Sequence, residues 1–279
     1  LSNEVLCLAR DGGDGLWVGT ILGLQHLGKN GFSPVGGDVL GKVPSMAMTP
    51  DDGLWVVSDK ARLARIRSGP VFTAEKQPEP FGFNVSRLLV DSRGGLLASL
   101  ANEKLMRRKD GQWTEVAHMQ PSPHSYPYCL AEGAAGEIWA GTQSEGLHLL
   151  GADGARAMPG VAKDIRALHV SRDGIVWAGT EADGLCRLMP GKVRSIALEH
   201  PRQRARTHSL VEEPDGTLWA ASYGAGLFHG PPGQLRPFLR EGQPAVGGLL
   251  RAALRMRDGT IHLAGDKFLA SKAPGSEVF

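Results

Sequence analysis

The sequence predicts an all-β fold, a seven-bladed β-propeller of four-stranded antiparallel blades occupying residues 1–279 as one domain. Three observations carry this expectation. A short apolar segment recurs seven times at a nearly fixed spacing, turns rich in Asp and Gly precede it, and 38 glycines stand against only 6% aromatic residues. Many short elements joined by tight turns mark an all-β chain, and a period of roughly 20 to 50 residues decides an architecture ahead of any local reading.

The repeated segment reads LWVGT at 16–20, LWVVS at 54–58, LLASL at 96–100, IWAGT at 138–142, VWAGT at 176–180, LWAAS at 218–222 and IHLAG at 261–265. Its second positions are Trp17, Trp55, Leu97, Trp139, Trp177, Trp219 and His262, with gaps of 38, 42, 42, 38, 42 and 43 residues and a mean of about 41. This segment is the second strand of each blade. The first strand precedes it at 5–9, 43–48, 85–90, 128–131, 165–170, 208–211 and 250–254, across hairpin turns such as Arg172-Asp173-Gly174 and Pro214-Asp215-Gly216, where Asp and Gly supply the tight geometry. Third strands open at Gly23-Leu24, Leu63, Leu105, Gly146-Leu147, Gly184-Leu185 and Gly226-Leu227, and weaker fourth strands follow at 32–35, 71–73, 113–116, 193–197 and 235–239. Four strands of about five residues with their connections use roughly 40 residues, which matches the period. Helical repeats of that length would show apolar spacing of about 3.6 residues over whole turns, and no such segment is present.

A lone four-stranded meander leaves both faces bare, so each blade must lean on two neighbours and the ring must close. The aromatic residue of the second strand supplies area for that contact, and the Gly or Ala two residues later permits close backbone approach. The tryptophans are therefore assigned to packing rather than to ligand stacking. Copy seven, with His262 in place of tryptophan and an irregular Ala273-Pro274-Gly275 tail, is an atypical terminal repeat. Its outer strand is expected from beyond these ends if a longer parent protein exists.

Lys and Arg number 31 against 29 Asp and Glu, a net charge of +2, which excludes whole-surface attraction to nucleic acid or to a membrane. The basic run Arg202, Arg204, Arg206 lacks interleaved aromatics, so no nucleic-acid partner is expected. Cys7, Cys129 and Cys186 form no CxxC pair and read as small buried hydrophobes. No run approaches the roughly 18 apolar residues of a membrane span, and the first residues lack a signal-peptide pattern. Because the chain opens at Leu1 rather than methionine, it reads as a processed or excised piece, and the missing signal says little about compartment.

The string Leu1-Ser2-Asn3-Glu4-Val5, then Asp14-Gly15-Leu16-Trp17-Val18-Gly19-Thr20, then Gly23-Leu24, resembles the two-component regulator propeller repeat; it recurs well at 136–147 and 174–185 and is degenerate in blades three and seven. In that family such repeats form the sensor region of bacterial hybrid histidine kinases and of some diguanylate cyclases, usually periplasmic and anchored by a following membrane helix. Many members carry two propellers and a β-sandwich. This chain has no sandwich, membrane helix, kinase or cyclase segment. The resemblance thus implies a periplasmic, ligand-sensing module whose membrane attachment lies in flanking segments, or one that acts with a separate transmitter.

Searches for catalytic motifs return nothing: no GxSxG, HExxH or phosphate-binding GxxxxGK[ST], and no GxGxxG between a strand and a helix. Some propellers are enzymes, among them streptogramin lyases and lactonases, which gather histidines and carboxylates at one channel mouth. The residue eleven before each landmark, near the start of the first strand, is Leu6, Pro44, Ser86, Tyr128, Arg166, His208 or Arg251. No carboxylate stands at these positions, so metal-assisted chemistry lacks its ligands there. No enzyme activity, cofactor or metal is expected.

The same ring predicts a binding site. Tyr128, Arg166, His208 and Arg251 fall on consecutive blades, with Arg87, Tyr126 and Arg206 close in register. The connections 121–127 and 201–207 are long enough to rim the mouth, and the turns after the second strands add Gln143, Glu145, Glu181, Asp183 and Tyr223. Arginine forks suit carboxylate, sulfate or phosphate groups, and tyrosine faces suit sugar rings. The plain alternative is that these arginines are solvated or paired with the nearby acids. The expected partner is a small-molecule or carbohydrate ligand, with a homodimer as the means of signalling; a lyase or lactonase and a protein-interaction scaffold are the rival readings.

Overall fold

Seven innermost strands surround one axis: Val5–Arg10, Ser45–Met48, Val85–Val90, Pro127–Glu132, Ile165–Val170, Arg206–Glu212 and Leu250–Arg255. Each opens an antiparallel meander, and together the meanders form a seven-bladed β-propeller. The computed structural model describes residues 4–37, 40–50, 53–67, 72–76, 84–102, 104–118, 127–151, 153–189, 192–198, 205–240, 243–244, 249–276 and 278–279.

The landmark segments form the second strands at the predicted positions: Leu16–Thr20, Leu54–Ser58, Leu96–Leu100, Ile138–Thr142, Val176–Thr180, Leu218–Tyr223 and Ile261–Gly265. The first five are buried along their whole length. A strand flanked by a neighbouring blade on both faces has no solvent side, and this explains why LWVGT-like runs are continuously apolar rather than alternating. All five blade tryptophans at these positions are buried, whereas His262 is partly exposed and bonds the Ser271 hydroxyl at 2.8 Å.

The glycine two residues beyond the tryptophan is required by the next blade. A Cβ on Gly19 would stand 2.8 Å from the Val43 carbonyl oxygen, one on Gly141 would stand 2.4 Å from Ile165 Cγ2, and one on Gly179 would stand 2.8 Å from the Thr207 carbonyl oxygen. The threonine after it has a separate task. Thr142 Oγ1 donates to the Gly146 carbonyl at 2.9 Å and accepts from the Glu145 N–H at 3.0 Å, and Thr180 repeats the pattern with Gly184 at 3.1 Å and Asp183 at 2.8 Å. The GTxxxGL spacing therefore folds the turn leading to the third strand.

Outer strands depart most from expectation. In the second blade the fourth strand is Thr73–Lys76, later than 71–73. In the fourth blade it is Gly154–Ala157, which no apolar run announces. Among the described residues the seventh blade has three strands, ending with Phe268–Lys272, and residues 239–240 and 243–244 pair as a separate small hairpin.

Closure is apolar and ionic together. The innermost strands touch in order around the axis, and the last touches the first. Val5, Leu16 and Val18 of blade one pack with Ala252, Met256 and Ala264 of blade seven, while Glu4 bridges Asp266 through the backbone and pairs with Arg251 at 2.5 Å.

Candidate functional site

The ring residues owe their exposure to a recurrent irregularity. In six blades the pairing between first and second strands skips one residue, between Val5 and Cys7, Val85 and Arg87, Pro127 and Cys129, Ile165 and Ala167, Thr207 and Ser209, and Leu250 and Ala252. The unpaired residues are Leu6, Ser86, Tyr128, Arg166, His208 and Arg251, six of the seven read from the sequence. A bulge inserts one residue into a strand and re-aims its side chain. Blade two has no such shift, and its strand pairs regularly from Ser45.

These strands line a channel cavity of about 540 Å³, whose wall includes Arg87, Tyr128, Arg166, His208 and Arg251. Blade three is a correction in detail: the Ser86 hydroxyl turns to Ser99 Oγ at 2.8 Å, and its neighbour Arg87 reaches the channel instead. Tyr126 and most of the expected rim, 121–126 and 201–204, lie outside the described residues.

Tyrosine and arginine interleave around one side. The Arg166 guanidinium carbon lies 4.3 Å from the centre of the Tyr128 ring, and that of Arg251 lies 4.6 Å from the centre of the Tyr223 ring. His208 stacks on Tyr223 at 5.7 Å. Burial depresses the His208 pKa to about 4, with Arg166, Arg251 and Arg206 pushing the same way; the imidazole is neutral at ordinary pH.

The arginines of the mouth are not free, which the first-strand positions alone did not reveal. Arg166 pairs with Asp164 at 3.1 Å and Glu181 at 2.8 Å, and Arg206, about half exposed, shares Glu181 at 3.1 Å. Arg251 pairs with Glu4 at 2.5 Å and Asp266 at 3.0 Å. Burial opposes the charge on Arg166, but the Tyr128 hydroxyl, Glu181 and Asp164 outweigh it and hold its pKa above the usual value. Of these acids only Glu181 had been placed at the mouth from the sequence. Asp164 could have been found two residues before the ring position, but Glu4 reaches Arg251 only through ring closure.

Arg87 differs. It sits on the channel wall, donates through Nε to the Tyr128 carbonyl and through Nη1 to the Ser86 carbonyl at 2.8 Å, and has no carboxylate partner among the described residues. Burial pushes its pKa down. Cys7 and Cys129 pack half-buried against the hydrophobic core and also border the channel, while Cys186 is buried as expected. Burial pushes the pKa of both channel thiols up to about 12, so they remain protonated. Among the described residues no group of three or more His, Cys, Asp or Glu converges with metal-holding potential.

No family model and no curated protein matches the sequence. Solved structures do. Virginiamycin B lyase from Staphylococcus aureus is 14% identical with a TM-score of 0.79, covering 98% of this chain and 95% of that one. The extracellular domain described as that of a hybrid two-component system from B. thetaiotaomicron is 16% identical with a TM-score of 0.77, covering 96% of this chain and 38% of that one. The WD40 propeller domain of Doa1 is 13% identical with a TM-score of 0.75, covering 100% and 96%. At these identities the likeness is one of fold.

Proposed function

We propose that this chain is the ligand-sensing propeller of a bacterial signal-transduction receptor, exposed in the periplasm, and that it binds a small molecule or glycan fragment carrying an anionic group in its channel mouth. The observation that carries the reading is Arg87, a guanidinium in a recessed wall with no described acid to neutralise it. Keeping a desolvated cation unpaired is costly, and an incoming carboxylate, sulfate or phosphate removes that cost with charge-assisted hydrogen bonds. Tyr128, whose ring centre lies 5.8 Å from the Arg87 guanidinium carbon, and His208 add ring faces to the channel wall, with Tyr223 stacked on His208. Support for the sensing role comes from the repeat resemblance and from the fold shared with the extracellular domain described as that of a hybrid two-component system. Rigid blades transmit little internal deformation, so binding acts by changing how two propellers pair.

The test is a panel of sugar acids, sulfated oligosaccharides and neutral sugars, screened by thermal shift against the wild type and Arg87→Met. Acidic ligands are expected to raise the melting temperature of the wild type alone. Equal shifts on both proteins, or shifts from neutral sugars only, would remove the basis of the reading. A lyase function finds less support: the one histidine of the ring, His208, is too weak a base at a pKa of about 4 for proton abstraction near neutrality. Turnover of a cyclic ester substrate that disappears in His208→Gln would reverse that judgement.

A further inference from the structure

The cross-strand partner of each landmark residue decides whether the groove between neighbouring blades is filled. Trp17 faces His26, and that pair is closed over by Phe72 of the next blade, with ring centres 4.5 and 4.8 Å from the indole. Trp55 lies under Arg65 and under Arg108 of the next blade, the latter at 4.9 Å. Trp177 carries Arg187 at 5.4 Å, and Trp219 is stacked by His229 at 3.9 Å and flanked by Phe238 and Phe279. Trp139 alone among these five pairs with an aliphatic residue, Leu149. Among the described residues no aromatic ring or cation covers it.

Over Trp139 the boundary between blades four and five opens into a cavity of about 780 Å³. Trp139, Val176 and Leu188 form its floor, and Met158 and Met189 its walls. None of these residues lines the channel. The two charged residues of the lining, Arg156 and Lys192, are exposed cations with no ion pair among the described residues, and no acid lines the cavity. The nearby Glu137 is occupied: it accepts from Trp139 Nε1 at 3.3 Å and from the Ala135 N–H at 3.0 Å.

We propose that this inter-blade groove is a second binding site, separate from the channel, for an amphiphilic anion: an aliphatic or aromatic body lying on Trp139 with a carboxylate, sulfate or phosphate directed to Arg156 and Lys192. The volume falls within the range of small-molecule sites. Methionine walls adapt to chains of varied shape, and two unpaired cations beside an acid-free apolar floor select a negative head over a neutral one.

Isothermal titration with decanoate, below its micellar concentration, tests the site, with 1-decanol as the neutral control. Decanoate is expected to bind one equivalent, to bind at least about tenfold more tightly than 1-decanol, and to lose about tenfold in affinity in the exposed double variant Arg156→Glu/Lys192→Glu. Trp139→Ala risks the core, so Val193→Asp, which sets a carboxylate on the half-buried rim, serves as the second variant and is expected to abolish binding. Arg87→Met is expected to leave it unchanged, which separates this site from the channel. Binding unaltered by the charge reversal, equal affinity for 1-decanol, or no saturable binding would overturn the proposal. So would an acidic amphipathic peptide that binds where decanoate does not.

Discussion

Arg87 and His208 show how one channel holds charge in two ways. Replacing Arg87 by methionine removes a recessed cation that no described acid neutralises, so without ligand the variant is expected to match the wild type within about 1 kcal/mol or exceed it, as measured by urea unfolding. A loss of several kcal/mol would assign Arg87 to the architecture instead. For His208 the folded pKa, about 4, lies below the unfolded value of about 6.5. The unfolded chain therefore binds the proton first, and the stability tied to this residue, complete above about pH 6.5, is lost as pH falls towards 4. His208→Gln is expected to flatten that part of the pH–stability curve, and ligand affinity between pH 6.5 and 8 is expected to show no step from this imidazole. The ring residues were legible because each sits at a constant offset from a repeated landmark. Glu4 was not, because it meets Arg251 through contact between the two ends of the repeat array, which no local spacing encodes; Asp266, one residue past the second strand of Arg251's own blade, stands where Glu181 stands in blade five.

Within a blade, the LWVGT-like segment divides its work residue by residue. Gly141→Ala would place a Cβ 2.4 Å from Ile165 of the following blade, and overpacking of this kind typically costs about 1–3 kcal/mol; Gly216→Ala, with nothing within 4 Å but a φ of +85°, is expected to show only the backbone penalty of about 1 kcal/mol. Paired thermal melts would rank the two. Thr180→Val keeps the volume but strands the Asp183 N–H, while the Gly184 carbonyl keeps only its bond from the Thr180 N–H, and is expected to cost about 1–3 kcal/mol while loosening the turn that presents Glu181 to Arg166 and Arg206. Second strands were the easiest to read, since burial on both faces leaves an unbroken apolar run. Fourth strands such as Gly154–Ala157 were the hardest: at the rim of the disc they are half solvated, and Gly-Ala-Arg-Ala carries no period.

At the scale of the ring, closure decides how the molecule fails. Leu16 is buried against blade seven, and Leu16→Ala is expected to cost about 2–5 kcal/mol while leaving one cooperative transition, with fluorescence and circular dichroism coincident. An open array would instead melt from its ends, with the two probes separating. The count of seven was readable from the spacing of the landmarks, and closure from the bare faces that any single blade would leave. The bulges add something that neither the count nor the closure contains. Because the extra residue of each first strand stands outside the pairing ladder, its side chain can be exchanged without moving a neighbour in the ladder or the core. Five of the six bulge residues, Leu6, Tyr128, Arg166, His208 and Arg251, line a common lumen and thus act as interchangeable sockets on an invariant frame, and a library randomised at these five should yield mostly folded proteins with divergent ligand preferences.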